Sequence, residues 1–188
     1  MITHHPADDL LIEYASGSLP SAETLVVAAH LALCSRCRDT VSQLEAVAAE
    51  TLEVGIPAEL GEGSLAAVMG RIDAADRAPA PAQTIRFGER TRAVLPAPVR
   101  DLIVSDIDSL PWRRKTRGIE QAEISSYGGA QVALLRIREG HRVPSHTHCG
   151  KEYTLVLSGG FSDGEDHYGR GDLAVADGAV DHAPIADP

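Results

Sequence analysis

The segment His30-Leu31-Ala32-Leu33-Cys34-Ser35-Arg36-Cys37 puts one imidazole and two thiols within eight residues. This is the donor chemistry of a tetrahedral Zn²⁺, which takes imidazole nitrogen and thiolate sulfur at roughly 2.0 to 2.3 Å. On a helix, His30 and Cys34 share a face one turn apart. Cys34 and Cys37 have the CxxC spacing that turns two thiolates towards one point. A fourth ligand has to come from elsewhere in the chain. His4 and His5, just ahead of the first helical pattern, are both candidates. The main competing reading of CxxC is a redox dithiol, but such a pair follows a strand in a βαβ setting, and no strand pattern precedes this one. The two readings are compatible, since oxidation of the thiolates would expel the metal.

A chain of 188 residues has room for one large or two small domains. Aromatic residues are only 4% of it against 44% apolar overall, so its cores have to be built from Ala, Leu, Val and Ile. No apolar run approaches the ~20 residues that span a bilayer, and the N-terminus lacks the basic and apolar regions of a signal peptide. A cytoplasmic protein is expected. Three cysteines, two of them in one motif, do not make a secreted disulfide scaffold. The net charge of −10 is uneven: residues 1–78 hold twelve Asp or Glu against four Arg and no Lys, a net of −8, and the first lysine is Lys115. Such a half is repelled by phosphates, which argues against direct nucleic-acid binding and for a basic protein partner.

Along the chain, Asp8 is placed to cap a helix from about Asp9 to Ala15, which Gly17 ends. Leu19-Pro20-Ser21 turns into a second helix with Leu25, Val26, Ala29 and Leu33 on one face. A third runs from about Ser35 to Leu52. Gly55, Pro57, Gly61 and Gly63 then interrupt the pattern. A short helix beginning at Ser64 carries Leu65, Val68, Met69 and Ile72 on one side with no local partner, and either packs on another protein or docks back. Residues 79–98 read as a linker. From Val99 the pattern changes to short strands, among them Gln121 to Ser125, Val132 to Ile137, Tyr153 to Leu157 and Leu173 to Ala176, separated by Gly-containing turns. Such spacing belongs to an all-β sandwich or barrel.

A second metal-ligating constellation lies in this half: Gly140-x5-His146-x-His148-x3-Glu152-x6-Gly159. His146 and His148 would share one side of a strand, and Glu152 would reach the same point after a turn. His182, past another strand, is the natural fourth ligand for Zn, Fe, Mn, Ni or Cu. This string matches the first motif of the cupins position by position. Of the second cupin motif, Gly171 and His182 stand in register, whereas Asp177, Ala179 and Ala186 replace the Pro, the second Gly and the Asn. A cupin barrel continues with more strands after this His, while the sequence ends at Pro188. The expectation is an incomplete barrel or a shortened chain.

Taken together, the two halves resemble the ChrR-type anti-sigma factors, which join a zinc-binding anti-sigma domain to a cupin-like one. The resemblance implies a two-domain fold: residues 1–78 an all-α zinc-binding helical bundle, 79–98 a linker, and 99–188 an all-β cupin, or jelly-roll, barrel. It implies His5, His30, Cys34 and Cys37 as ligands of one Zn²⁺, the family pattern favouring His5 over His4. In the cupin half it implies His146, His148, Glu152 and His182 around Zn²⁺ or another divalent metal such as Fe, Mn or Ni. The implied partner is a group IV (ECF) sigma factor, released when singlet oxygen or an organic hydroperoxide is sensed through the cupin half. The implied protein is not an enzyme and contacts neither nucleic acid nor membrane. Cys149, between two cupin ligands, is an oxidisable sensor or simply a small turn residue. The alternative from another class is a metal-dependent cupin enzyme, a dioxygenase or isomerase, with an accessory helical domain; a zinc-dependent DNA-binding protein is opposed by the −8 balance.

Overall fold

The computed structural model describes residues 1–76, 85–127, 129–147, 149–179 and 181–188. Three helices come first: α1 (Asp8–Ala15), α2 (Ser21–Leu33) and α3 (Ser35–Glu53). The expected caps differ in detail. Ala7, not Asp8, is the N-cap of α1, so Asp8 and Asp9 act on the helix dipole from the first turn. Pro20 occupies the N-cap of α2. Cys34 both ends α2 and starts α3 in an extended conformation, so the chain bends at the first of the two predicted thiol ligands.

Helix α2 is buried on more than the one face that its periodicity outlined. Val27, Ala29, His30 and Leu31 are all buried, positions that a single apolar face would not cover. The reason is that α2 lies between two cores. Val27 and Leu31 pack with Leu11, Leu19, Cys34, Cys37 and Val41. Ala29 joins Leu95, Val99, Ile103, Ile107 and Leu134 on the other side.

Beyond a Gly/Pro break comes α4 (Ser64–Asp76), whose Leu65, Val68, Met69 and Ile72 are exposed, Leu65 to 74%. The span read from sequence as a linker is partly structured. Its described residues, 85–98, carry α5 (Glu89–Val94) and the start of α6 (Ala97–Arg100), and Leu95 is nearly inaccessible. Asp106 anchors this segment by accepting hydrogen bonds from the Gly88 N–H and the Thr91 hydroxyl. Residues 77–84 lie outside the described residues.

Among the described residues eight short strands follow: β1 (Arg113–Thr116), β2 (Ile119–Tyr127), β3 (Ala130–Ile137), β4 (Glu152–Leu155), β5 (Gly160–Asp163), β6 (Asp166–Gly169), β7 (Leu173–Ala176) and β8 (Ile185–Ala186). They pair antiparallel as β1-β2-β3, β4-β7 and β6-β5-β8, so the described strands form three small sheets rather than one closed barrel. Four strands match the expected runs. The other four, β1, β5, β6 and β8, were hidden by charge, glycine content or brevity. Among the described residues no helix is long and apolar enough to cross a membrane.

Because Leu95 is 1% exposed and faces Ala29 of α2 across the second core, Leu95→Ala is expected to cost about 2 to 5 kcal/mol. Urea unfolding followed by circular dichroism measures it, and it should lower the midpoint without abolishing folding.

Candidate metal centre

His30 is set by the last turn of α2, Cys34 by the extended residue position between α2 and α3, Cys37 by the first turn of α3, and His5 by the extended segment that precedes α1. Their donor atoms all lie within 4.8 Å of one another. His30 Nε2 is 3.3 Å from Cys37 Sγ, and His5 Nδ1 is 3.3 Å from Cys37 Sγ and 3.5 Å from Cys34 Sγ. The edges of a tetrahedron built on Zn–N and Zn–S bonds are roughly 3.3 to 3.8 Å, so the donor set and its spacing suit Zn²⁺. His30, Cys34 and Cys37 are buried, and a buried, four-donor, S2N2 set is that of a closed structural site.

The choice between the two consecutive histidines is made by the extended backbone, which turns successive side chains to opposite sides. His5 faces the thiols. The His4 ring instead packs on Tyr168, with centroids 4.2 Å apart, and its Nδ1 lies 3.8 Å from the Asp172 carboxylate.

Protonation in the metal-free fold is consistent with this set. Burial lowers the His5 pKa, helped by the positive charge of Arg36. Burial also lowers that of His30, against an opposing hydrogen bond to Gly171. Both rings are thereby kept neutral, as a ligand must be. The Cys37 thiol is pushed up to about 12, first by burial and then by the hydrogen bond and charge of Cys34. Two thiolates this close need a cation between them. The Nδ1–H of His30 donates to the Gly171 carbonyl at 2.8 Å, a bond that leaves Nε2 for the centre.

In the other half the structure brings two of the four expected ligands together. His146 and His182 form an antiparallel bridge, with ring centroids 4.7 Å apart. The Nδ1–H of His146 donates to the Pro144 carbonyl, and His182 Nδ1 meets the carboxylate of Asp163. Glu152 opens β4 and accepts a hydrogen bond from the Thr154 hydroxyl. His148 lies outside the described residues. His146 sits in this bridge and not on a regular strand. Asp177, where the second cupin motif has Pro, accepts a hydrogen bond from the Ala179 N–H, an Asx-type turn that replaces the rigid ring. Cys149 is exposed and not disulfide-bonded. Sequence reasoning missed Asp163, Gly171 and Asp172 as neighbours of these ligands. The only signal was that Gly171 and Asp172 fall in a turn.

Residues 6–38 match a family described as a putative zinc-finger, and residues 100–188 match the ChrR Cupin-like domain. Over 186 residues the chain is 41% identical to the anti-sigma-E factor ChrR of Cereibacter sphaeroides, covering 99% of this chain and 84% of that protein. The chain belongs to the ChrR family of anti-sigma factors. ChrR proteins are regulators rather than enzymes, which disfavours the cupin-enzyme alternative. A crystal structure of Rhodobacter sphaeroides SigE in complex with the anti-sigma ChrR is similar along the whole chain, with a TM-score of 0.84, 39% identity and coverage of 100% of this chain and 94% of the matched one. The helical half followed by a cupin-like half is thus the ChrR arrangement.

Two outcomes follow for this ChrR-family centre. Cys34→Ser or Cys37→Ser should reduce bound zinc from one equivalent per N-terminal centre to none, as read by metal analysis after desalting, because a hydroxyl is a far poorer zinc ligand than a thiolate. The pH dependence has two arms. The depressed His5 and His30 pKa values contribute stability above the usual 6.5 that is lost as pH falls below it. The raised Cys37 value contributes stability below 9.0 that is lost as pH rises towards 12. Denaturant midpoints of metal-free protein should therefore fall on both sides of a neutral plateau. Zinc should abolish the alkaline arm and steepen the acid one, since protons compete with the metal for the same donors.

Proposed function

We propose that this chain is an anti-sigma factor that binds and inhibits a group IV (ECF) sigma factor in the cytoplasm. The observation that carries this reading is its likeness, along its full length and at 39% identity, to a ChrR solved in complex with SigE. Two features of the helical half support it. Its net charge of −8 over residues 1–78 complements a protein that presents basic surfaces to promoter DNA, and like-charge repulsion keeps it off the DNA itself. Helix α4 offers Leu65, Val68, Met69 and Ile72, an i, i+3, i+4, i+7 stripe of the kind that anchors a helix in a partner's groove.

In this reading His5, His30, Cys34 and Cys37 hold a structural Zn²⁺ that fixes the helices for binding. His146, His148, Glu152 and His182 hold Zn²⁺ or another divalent metal such as Fe, Mn or Ni in the cupin half. Singlet oxygen or an organic hydroperoxide acts on that half and frees the sigma factor. Support for the cupin site is the motif spacing together with the contact between His146 and His182.

Co-expression of the full chain with the group IV sigma factor of the same genome should give a stable 1:1 complex that no longer supports transcription in vitro. Val68→Glu and Met69→Glu, at half-exposed positions that the fold tolerates, should weaken the complex by about tenfold or more, roughly 1.4 kcal/mol or above. Failure of the parent chain to bind any group IV sigma factor of that genome would refute the reading.

A further inference from the structure

Two of the four donors at the N-terminal centre are held by the cupin half. Asp172 is only 2% exposed. Its Oδ1 accepts the N–H groups of Thr3 at 2.6 Å and His4 at 2.8 Å, and its Oδ2 accepts the N–H of Gly169 at 2.8 Å. The Leu173 N–H in turn donates to the His4 carbonyl at 3.1 Å. The backbone of His4 is therefore gripped on both its N–H and its C=O, and the next residue is His5. Beside Asp172, the Gly171 carbonyl accepts from His30 Nδ1. Gly171 has a positive φ of 94°, a conformation that favours glycine, and the Ile2 side chain packs against its Cα, where a Cβ would force it to move.

We propose that the Gly171–Asp172 turn is the positioning part of the zinc centre, fixing which nitrogen His30 presents and delivering His5, so that metal retention depends on the cupin half. This rests on the reading of His5, His30, Cys34 and Cys37 as zinc ligands. The turn is also wired into the cupin ladder. The Gly171 N–H donates to the Val156 carbonyl and the Val156 N–H to the Asp172 carbonyl, continuing the β4–β7 pairing past Leu155 and Leu173. Glu152, the expected cupin ligand, is the first residue of that same β4. A displacement of β4 along β7 thus moves the acceptor of His30 directly. The strand that carries one metal's ligand ends on the partner of the other metal's ligand.

The test uses the full chain loaded with one equivalent of zinc and follows transfer to a chromogenic chelator, alongside the absorption spectrum of the cobalt-substituted protein. Asp172→Asn should release zinc about tenfold faster or more, the usual effect of removing a partner of a metal ligand, and should shift the cobalt ligand-field bands. Thr3→Pro removes one N–H donor to Asp172 without touching the cupin sequence, and should do the same if Asp172→Asn folds poorly. Asp106→Asn, which breaks a comparable carboxylate clamp away from the centre, should leave the rate within about twofold of the parent's. The inference is overturned if Asp172→Asn and Thr3→Pro both release zinc at the parent's rate, or if Asp106→Asn accelerates release equally. A parent chain whose cobalt form shows no sulfur-to-metal charge-transfer band overturns the ligand reading itself.

Discussion

Both ring nitrogens of His30 are committed, one towards Cys37 and the other to the Gly171 carbonyl, and the ring is completely inaccessible to solvent. A buried imidazole left unpartnered at either nitrogen would cost on the order of 1 to 3 kcal/mol. The fold meets both needs from opposite sides: a helical thiol pair on one, and a β-turn 141 residues away on the other. Everything distinctive in the architecture follows from putting this residue where the two halves meet. Helix α2 has to be apolar all round to lie between two cores, and the N-terminal segment has to run along the cupin half before it can enter α1.

The helical half is small for an independent domain. Its core rests on seven buried residues, two of them the thiols Cys34 and Cys37. Helix α1 has only eight residues, short of the ~12 to 15 at which an isolated helix becomes even marginal in water. A metal ion bound by donors from the N-terminal segment, α2 and α3 supplies what that core lacks, because its binding free energy is expressed as folding free energy. The grip of Asp172 on Thr3 and His4 acts in the same direction. Burial alone would raise the pKa of this carboxyl, but the N–H groups of His4, Gly169 and Thr3 outweigh it and hold the group below the usual carboxylate value, so it stays ionised as an acceptor.

What was legible in the sequence is what short spacing encodes. His30, Cys34 and Cys37 span eight residues, and helix geometry alone nearly determines that their donors meet. The cupin string was read on the same ground, His146 and Glu152 standing six positions apart, and of its expected ligands the structure brings His146 to His182. The choice of His5 over His4 was not fixed by spacing, because it turns on which side of an extended segment faces the thiols. The docking of α2 on both sides was legible only as an unusually apolar helix. Asp172 and Gly171 were invisible, since a Gly-Asp pair in a turn has the same local appearance whether it faces water or a ligand 141 to 169 residues away. Strand β1 was missed because its Arg113-Arg114-Lys115-Thr116 reads as a solvated charge run, and as an exposed edge strand that is what it is. The span 79–98 looked like a linker because Ala, Pro and Arg outnumber its large apolar residues, yet Leu95, with Phe87 and Val94, seats its described part in the second core.

The arrangement also bears on how a regulator of this kind is built. Separate binding and sensing domains on a flexible tether have no physical means of influencing each other, whereas two domains that share a helix and a pair of ligand partners do. Here α2 packs on β4 while carrying His30, and the turn after β6 holds the segment that brings His5. The N-terminal metal-ligating cluster and Glu152, the ligand proposed for the cupin half, are therefore joined through a single β-ladder, without any long relay of side chains. The exposed stripe of α4 lies beyond a Gly/Pro break from this shared frame. Under the proposed function, loosening the frame and holding a guest on α4 would draw on separate parts of the molecule, so that release would be tuned by the cupin half without altering the surface proposed to recognise the partner.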